Sequence, residues 1–304
     1  MPVPATRPRK IGLALGSGSA RGWSHLGVIR VLERAGISPD IVCGTSIGAL
    51  VGAVYAAGQL ERFEPWVRSL TWKSVLGLMD FKMGGGLIEG GKLVDFFRSR
   101  YDDSGIAGLA KPYACVATEL YTGREVWLRE GPVIDAVRAS IALPGLFTPT
   151  ALDGRLLVDG GLVNPVPVSL CRAMGADLVI AVDLNWDIML HRSRVASRSA
   201  ETPPAESGGL VDALLARFRP AARGAGGGSA GGELPSMLDV LTSSLNIMQM
   251  RITQSRMAGE PADIVIRPRL NDVAAMDFHL AAPIIAEGER AAEFALPHLR
   301  DVLG

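Results

Sequence analysis

Only three cysteines occur in the chain, Cys43, Cys115 and Cys171, and no two form a C-x-x-C pair. An odd count without that spacing argues against a disulfide framework and a cysteine zinc site, and favours a reducing compartment. Net charge is absent too: 31 basic and 31 acidic side chains balance, and no basic domain stands out. That excludes the electrostatic footprint of a nucleic-acid binder and gives no general attraction to anionic lipid. Local arginines between residues 192 and 223 are the exception. Histidine is scarce, with four in 304 residues, so few candidates exist for an imidazole base. The basic start, MPVPATRPRK, runs into a glycine-rich strand rather than a long apolar stretch, and reads as no signal peptide. The expected location is cytoplasmic, at most peripheral to the inner membrane.

A long hydrophobic run is the next thing nearly missing. Residues 41–58, IVCGTSIGALVGAVYAAG, carry no charge over 18 positions, but six of those are Gly, Ser or Thr. A membrane span needs about 20 apolar residues. This stretch predicts a buried strand followed by a buried helix instead.

What is present is a 48% hydrophobic chain, enough for a sizeable core. KIGLALGSGSARG reads as a strand entering a glycine turn. The next segment, to Gly36, has helical spacing at Leu26, Ile29 and Leu32. DIVCG is a second strand and SIGALVGAVYAAG a second helix. Strand, helix, strand, helix with short turns predicts a three-layer α/β/α sandwich around a mainly parallel sheet. We expect one domain over 9–304. YACVATEL and REVWL predict a strand pair, VIDAVRASIALPG a helix, RLLVDGG a short strand and ADLVIAVDL a buried one. Residues 60–97, rich in aromatics and glycines, read as a lid or cap. Residues 191–236, with GAGGGSAGGELP, read as a flexible low-complexity insertion. Within it, 209–220 has the pattern of a short amphipathic helix with Arg217 and Arg219, suited to a membrane surface or a partner. Met237, Leu241, Leu245, Met248 and Ile252 share one helical face and predict a core helix. ADIVIRPRL predicts a last strand, and a final helix starts near Ala281.

The pattern G-x-S-x-G occurs twice. Gly227, Ser229 and Gly231 match it inside the low-complexity segment, with no strand before and no helix after. Gly44-Thr45-Ser46-Ile47-Gly48 has both. A sharp strand-to-helix turn needs small neighbours and leaves the serine oxygen exposed near a helix N-terminus. Ser46 is thus the candidate nucleophile, Gly44 and Gly48 the elbow glycines, and the Ile47 N–H an oxyanion donor.

A second glycine cluster runs Gly16, Ser17, Gly18, Ser19, Ala20, Arg21, Gly22. A dinucleotide fingerprint would want glycine at 21, and a phosphate P-loop would want G-K-[ST]; neither is there. What remains is a loop of open backbone N–H groups at a helix start, suited to an anion. Beside Ser46 that anion is most usefully a tetrahedral oxyanion. Arg21 either orients the loop or attracts a lipid phosphate.

The base has two candidates. His279 follows Asp159, so Ser46, Asp159, His279 gives an α/β-hydrolase triad order. His25 lies one turn past the glycine loop and reads as structural, while His191 and His298 fall in the insertion and near the C-terminus. The other candidate is Asp159 itself, at a strand end followed by Gly160 and Gly161. A carboxylate with a pKa near 4 is a poor base in water, but proximity and desolvation compensate in a closed site.

Four blocks in order resemble the patatin-like phospholipases: the G-x-G-x-x-[RK]-G loop at 16–22, the elbow at 44–48, the A-S-x-A-x-P block at Ala139–Pro144, and D-G-G at Asp159–Gly161. The tail, with SRMAGEPADIVIRP and DFH, is similar to the bacterial branch related to neuropathy target esterase. Ser17 and Ser19 stand where members often carry glycine. The resemblance implies a Ser46–Asp159 dyad without histidine, Gly18 and Ser19 among the oxyanion donors, and no metal or organic cofactor. It also implies a phospholipid or lysophospholipid substrate; peripheral membrane contact stays open on the sequence, and the charge balance argues for no nucleic acid. Two rival classes stay open on residues alone: a nucleotide-binding regulator, and a catalytically silent adaptor working through 191–236.

Overall fold

IGLAL, IVCGT and LVIAV are short apolar runs without polar alternation, the signature of strands covered on both faces. The computed structural model, which describes residues 9–77, 90–100, 105–187 and 237–303, places them so. The strands are β1 (Ile11–Leu15), β2 (Ile41–Thr45), β3 (Tyr113–Glu119), β4 (Glu125–Leu128), β5 (Thr150–Leu152), β6 (Arg155–Asp159), β7 (Leu178–Val182) and β8 (Ile264–Ile266). They form one sheet in the order β5-β6-β3-β2-β1-β7-β8, with β4 also paired to β3. The pairs β2–β3, β1–β2, β1–β7 and β7–β8 are parallel. The edge built from β3, β4, β5 and β6 is antiparallel, so the sheet is mixed. The last strand is shorter than ADIVIRPRL suggests, because Pro268 has no N–H to give a ladder.

The helices are α1 (Ser24–Arg34), α2 (Ile47–Ala56), α3 (Leu60–Ser69), α4 (Trp72–Gly77), α5 (Gly91–Arg100), α6 (Val133–Ser140), α7 (Val168–Ala173), α8 (Met237–Gly259) and α9 (Ala281–Leu303). Alternate residues of each strand feed opposite cores. Leu13, Leu15, Val42 and Ile180 pack with α1, α2, α3, α6 and α9. Ala14, Cys43, Val116 and Val179 pack with α7, and Met257 of α8 joins them. All ten residues of α2 are buried, which accounts for its lack of charge. No helix among the described residues is long and apolar enough to cross a membrane.

The expectation for α8 fails. Of the supposed core stripe, Leu241 is 51% and Met248 45% exposed and Leu245 and Ile252 are only half-buried, while the buried positions are Gln249 and Thr253. The reason is the surface beneath. Ser17 and Asn185 offer hydrogen bonds there, so the helix buries a polar face. The predicted insertion 191–236, with its 209–220 helix and His191, lies outside the described residues, as does 78–89 of the predicted cap.

Candidate active site

β2 ends at Thr45, and the chain reverses into α2 at Ser46 with φ 57° and ψ −125°. That is a conformation a side chain adopts only under constraint, at about 1–3 kcal/mol. Three features impose it. A Cβ on Gly44 would sit 2.3 Å from the Gly48 carbonyl oxygen, and one on Gly48 would sit 2.2 Å from that of Leu15. Both elbow glycines are therefore required by close approach. The Ser46 N–H donates to Ser140 Oγ at 2.9 Å, and Ser140 in turn donates to the Val116 carbonyl at 2.6 Å. Ser140 belongs to the A-S-x-A-x-P block, to which the sequence assigned no task; its burial and its two bonds supply one.

Register on β3 brings the second group in. Val116 pairs with Thr45 of β2, and the next residue, Ala117, pairs with Asp159 of β6. Asp159 thus arrives one residue beyond the end of β2, where the elbow lifts Ser46. The Ser46 hydroxyl donates to Asp159 Oδ2 at 2.6 Å. Asp159 Oδ1 accepts from the Gly161 N–H at 2.7 Å. The carboxyl is fully buried, and burial pushes its pKa up to about 6 despite the two hydrogen bonds that lower it.

The anion loop is braced from several directions. Ser17 N–H donates to the Pro165 carbonyl and Ala20 N–H to that of Ala275. His25 is fully buried and its Nε2 lies 2.8 Å from the Gly16 carbonyl oxygen. Burial lowers its pKa to about 4, so the ring is neutral and Nε2–H donates; His25 is structural, as its sequence position suggests. Buried Arg21 donates through Nε to the Gly18 carbonyl at 3.2 Å. In a trans peptide C=O and N–H point oppositely, so this bond turns the Ser19 N–H away from Arg21. The loop-orienting reading of Arg21 thus has a geometric basis. The N–H groups of Gly18, Ser19 and Ile47 have no backbone acceptor among the described residues.

Ser46, Ser19 and Ile47 border a cavity of about 110 Å³ whose other walls are apolar, among them Trp23, Leu50, Trp66, Phe147 and Phe278. A smaller recess of about 30 Å³ also touches Ser46 and reaches Asn246 and Gln249 of α8. Sequence reading missed Asn246 and Gln249; of the stripe it chose, Leu245 borders this recess. His279 is not among the hydrogen-bond partners of Ser46 or Asp159. Its ring stands edge-on to Trp72 at 5.7 Å, and its buried Nδ1 lacks a partner among the described residues. The three cysteines are buried, and burial drives Cys43 and Cys115 thiols upward, the latter to about 12, so neither is a thiolate. Among the described residues no cluster of three His, Cys, Asp or Glu is placed to hold a metal.

The sequence profile of the family described as patatin-like phospholipase matches residues 13–172, more than half of the chain. An NTE family protein of Mycobacterium tuberculosis is 35% identical over 97% of this chain and 95% of its own length. Human patatin-like phospholipase domain-containing protein 6 is 37% identical over 57% of this chain, but only 13% of that protein is matched. A lysophospholipase of Emericella nidulans is 35% identical over 58% of this chain and 12% of itself. Among solved structures, VipD from Legionella pneumophila aligns over 98% of this chain and 76% of its own at 13% identity and a TM-score of 0.40. The family match and the near full-length relative agree: the chain belongs to the patatin-like phospholipase family and is a lipid ester hydrolase.

Proposed function

We propose that this enzyme hydrolyses fatty-acyl esters of phospholipids or lysophospholipids through an acyl-serine, with Ser46 as nucleophile and Asp159 as general base. The observation that carries the reading is the 2.6 Å hydrogen bond from the Ser46 hydroxyl to Asp159, made at a strained elbow facing an apolar cavity. As Ser46 Oγ bonds to the ester carbonyl carbon, its proton passes to Asp159 Oδ2. The carbonyl oxygen becomes an oxyanion and accepts from the N–H groups of Gly18, Ser19 and Ile47. The tetrahedral species collapses, and the alcohol leaves with the proton from Asp159. Water then attacks the acyl-serine, giving a proton to Asp159, and Asp159 passes that proton to Ser46 Oγ as the second tetrahedral species collapses and the fatty acid leaves. The acyl chain lies in the apolar cavity. α3 supplies Trp66, α4 supplies Val75 and the link between them supplies Leu70 to its wall, which supports a cap role for the start of 60–97.

A carboxylate base suits this site because it is already dry. A base pKa of about 6 is nearer the working pH than 3.8, and a short bond spares any search for the proton acceptor. The test is labelling by a fluorescent fluorophosphonate, together with hydrolysis of short acyl esters. Ser46→Ala should lose labelling and at least about 10³-fold in turnover. Asp159→Asn should lose both as well. Retained hydrolysis in Ser46→Ala would sink the assignment. A wild-type protein that never labels nor hydrolyses would favour the silent-adaptor class.

A further inference from the structure

α8 lies beyond residues 13–172, yet its buried polar face is built into the site. Gln249 Oε1 accepts from Ser17 Oγ and from Asn185 Nδ2, both at 3.1 Å, and Asn185 Nδ2 lies 3.2 Å from Ser17 Oγ. All three side chains are buried. The same glutamine also presses on the other half of the site. A Cβ placed on Gly161 would lie 2.6 Å from Gln249 Nε2 and 2.9 Å from Asp159 Oδ1. Gly161 is the residue whose N–H holds that Oδ1. One side chain therefore ties the peptide preceding the Gly18 and Ser19 N–H groups and backs the glycine supporting the carboxylate. Thr253 Oγ1 donates to the Gln249 carbonyl, one helical turn back.

We propose that Gln249 is a positioning residue for the reaction: through Ser17 it holds the anion loop at the height that Ser46 needs, so that the seating of α8 assembles the site. This rests on the Ser46 reading above. It gives the Ser17 hydroxyl a task that a glycine cannot perform. Removing the Gln249 amide leaves the Ser17 hydroxyl without its buried acceptor and the Asn185 amide with only the Ser17 oxygen. The loop then relaxes to satisfy them elsewhere. Misplacement by about 1 Å is enough to cost up to roughly 10²-fold in rate. The loss falls on the oxyanion, which exists only in the transition state, so it appears in kcat rather than KM.

The experiment uses the full chain and 4-nitrophenyl butyrate, with kcat expressed per fluorophosphonate-titrated site, or per folded protein for Ser46→Ala, and folding checked by circular dichroism and melting. The variants are Gln249→Ala, the volume-matched Gln249→Met, Ser17→Ala, the double Ser17→Ala/Gln249→Met, and Ser46→Ala. Gln249→Met and Ser17→Ala should each lower kcat about tenfold or more, with KM within about twofold. The double variant should be no worse than the worse single, because the two residues act through one bond. If Gln249→Ala fails to fold, the other two singles decide. Per-site kcat near wild type in Gln249→Met, a change confined to KM, or losses that multiply in the double variant would each overturn the inference. Ser46→Ala separates the two levels: if it is dead while Gln249→Met is fully active, only the role of Gln249 falls. If Ser46→Ala still hydrolyses, the reading beneath it falls first.

Discussion

Ionising Asp159 inside the fold destabilises the protein, and the size of that effect can be worked out. The carboxyl is fully buried and its pKa rises from 3.8 to about 6. Each unit corresponds to about 1.36 kcal/mol, so two units cost about 3 kcal/mol. The folded state holds the proton more tightly than the unfolded chain. Stability from this group is therefore complete below pH 3.8 and is lost as pH rises through about 6. Asp159→Asn carries no charge and has no such titration. Relative to wild type, the Asn variant should gain about 2.4 kcal/mol between pH 4 and 7, most of it below pH 6. At roughly 2 cal/mol/K per residue, that is about 4 °C in melting temperature for a chain of this length. The catalytic consequence has the opposite sign. Asp159 accepts a proton only when ionised, so kcat/KM of the wild type should fall about tenfold per unit below pH 6 and level above it. The assay is a set of thermal melts of both proteins from pH 4 to 7, beside a pH profile of ester hydrolysis. A melting gap that stays constant across this range, with a rate that stays flat down to pH 5, would refute a buried carboxylate base with a raised pKa.

Ser140→Ala removes the acceptor of the Ser46 N–H and the donor to the Val116 carbonyl. It should cost about 1–3 kcal/mol, seen as a drop of a few degrees in melting temperature, and lower kcat about tenfold with little change in KM. Unchanged melting and turnover would show that the elbow does not need this anchor. His279→Ala loses an edge contact with Trp72 and should keep turnover within about threefold; a loss near 10³-fold in a folded variant would restore the triad. Gly48→Ala places a methyl 2.2 Å from the Leu15 carbonyl oxygen and should yield little folded protein, judged by soluble yield and circular dichroism.

Much was decided by local pattern. Apolar runs with no polar alternation can satisfy themselves only as strands covered on both sides, so β1, β2 and β7 follow from IGLAL, IVCGT and LVIAV. G-x-S-x-G between such a run and an apolar helix leaves the backbone almost one solution. The charge-free stretch 41–58 became β2 and α2 for that reason. What local pattern could not supply is register. Ser46 meets Asp159, 113 residues away, because Val116 and Ala117 on β3 pair with the ends of two different strands. That is a property of the sheet, and the residues alone left His279 open as a base. The face buried by α8 was likewise out of reach. Helical spacing selected Leu241 and Met248 because a core is usually apolar. The surface actually offered by Ser17 and Asn185 is polar, so Gln249 and Thr253 went inside instead. A periodicity reads one helix at a time, whereas burial depends on the chemistry of whatever lies opposite, and here only the tertiary structure sets that partner.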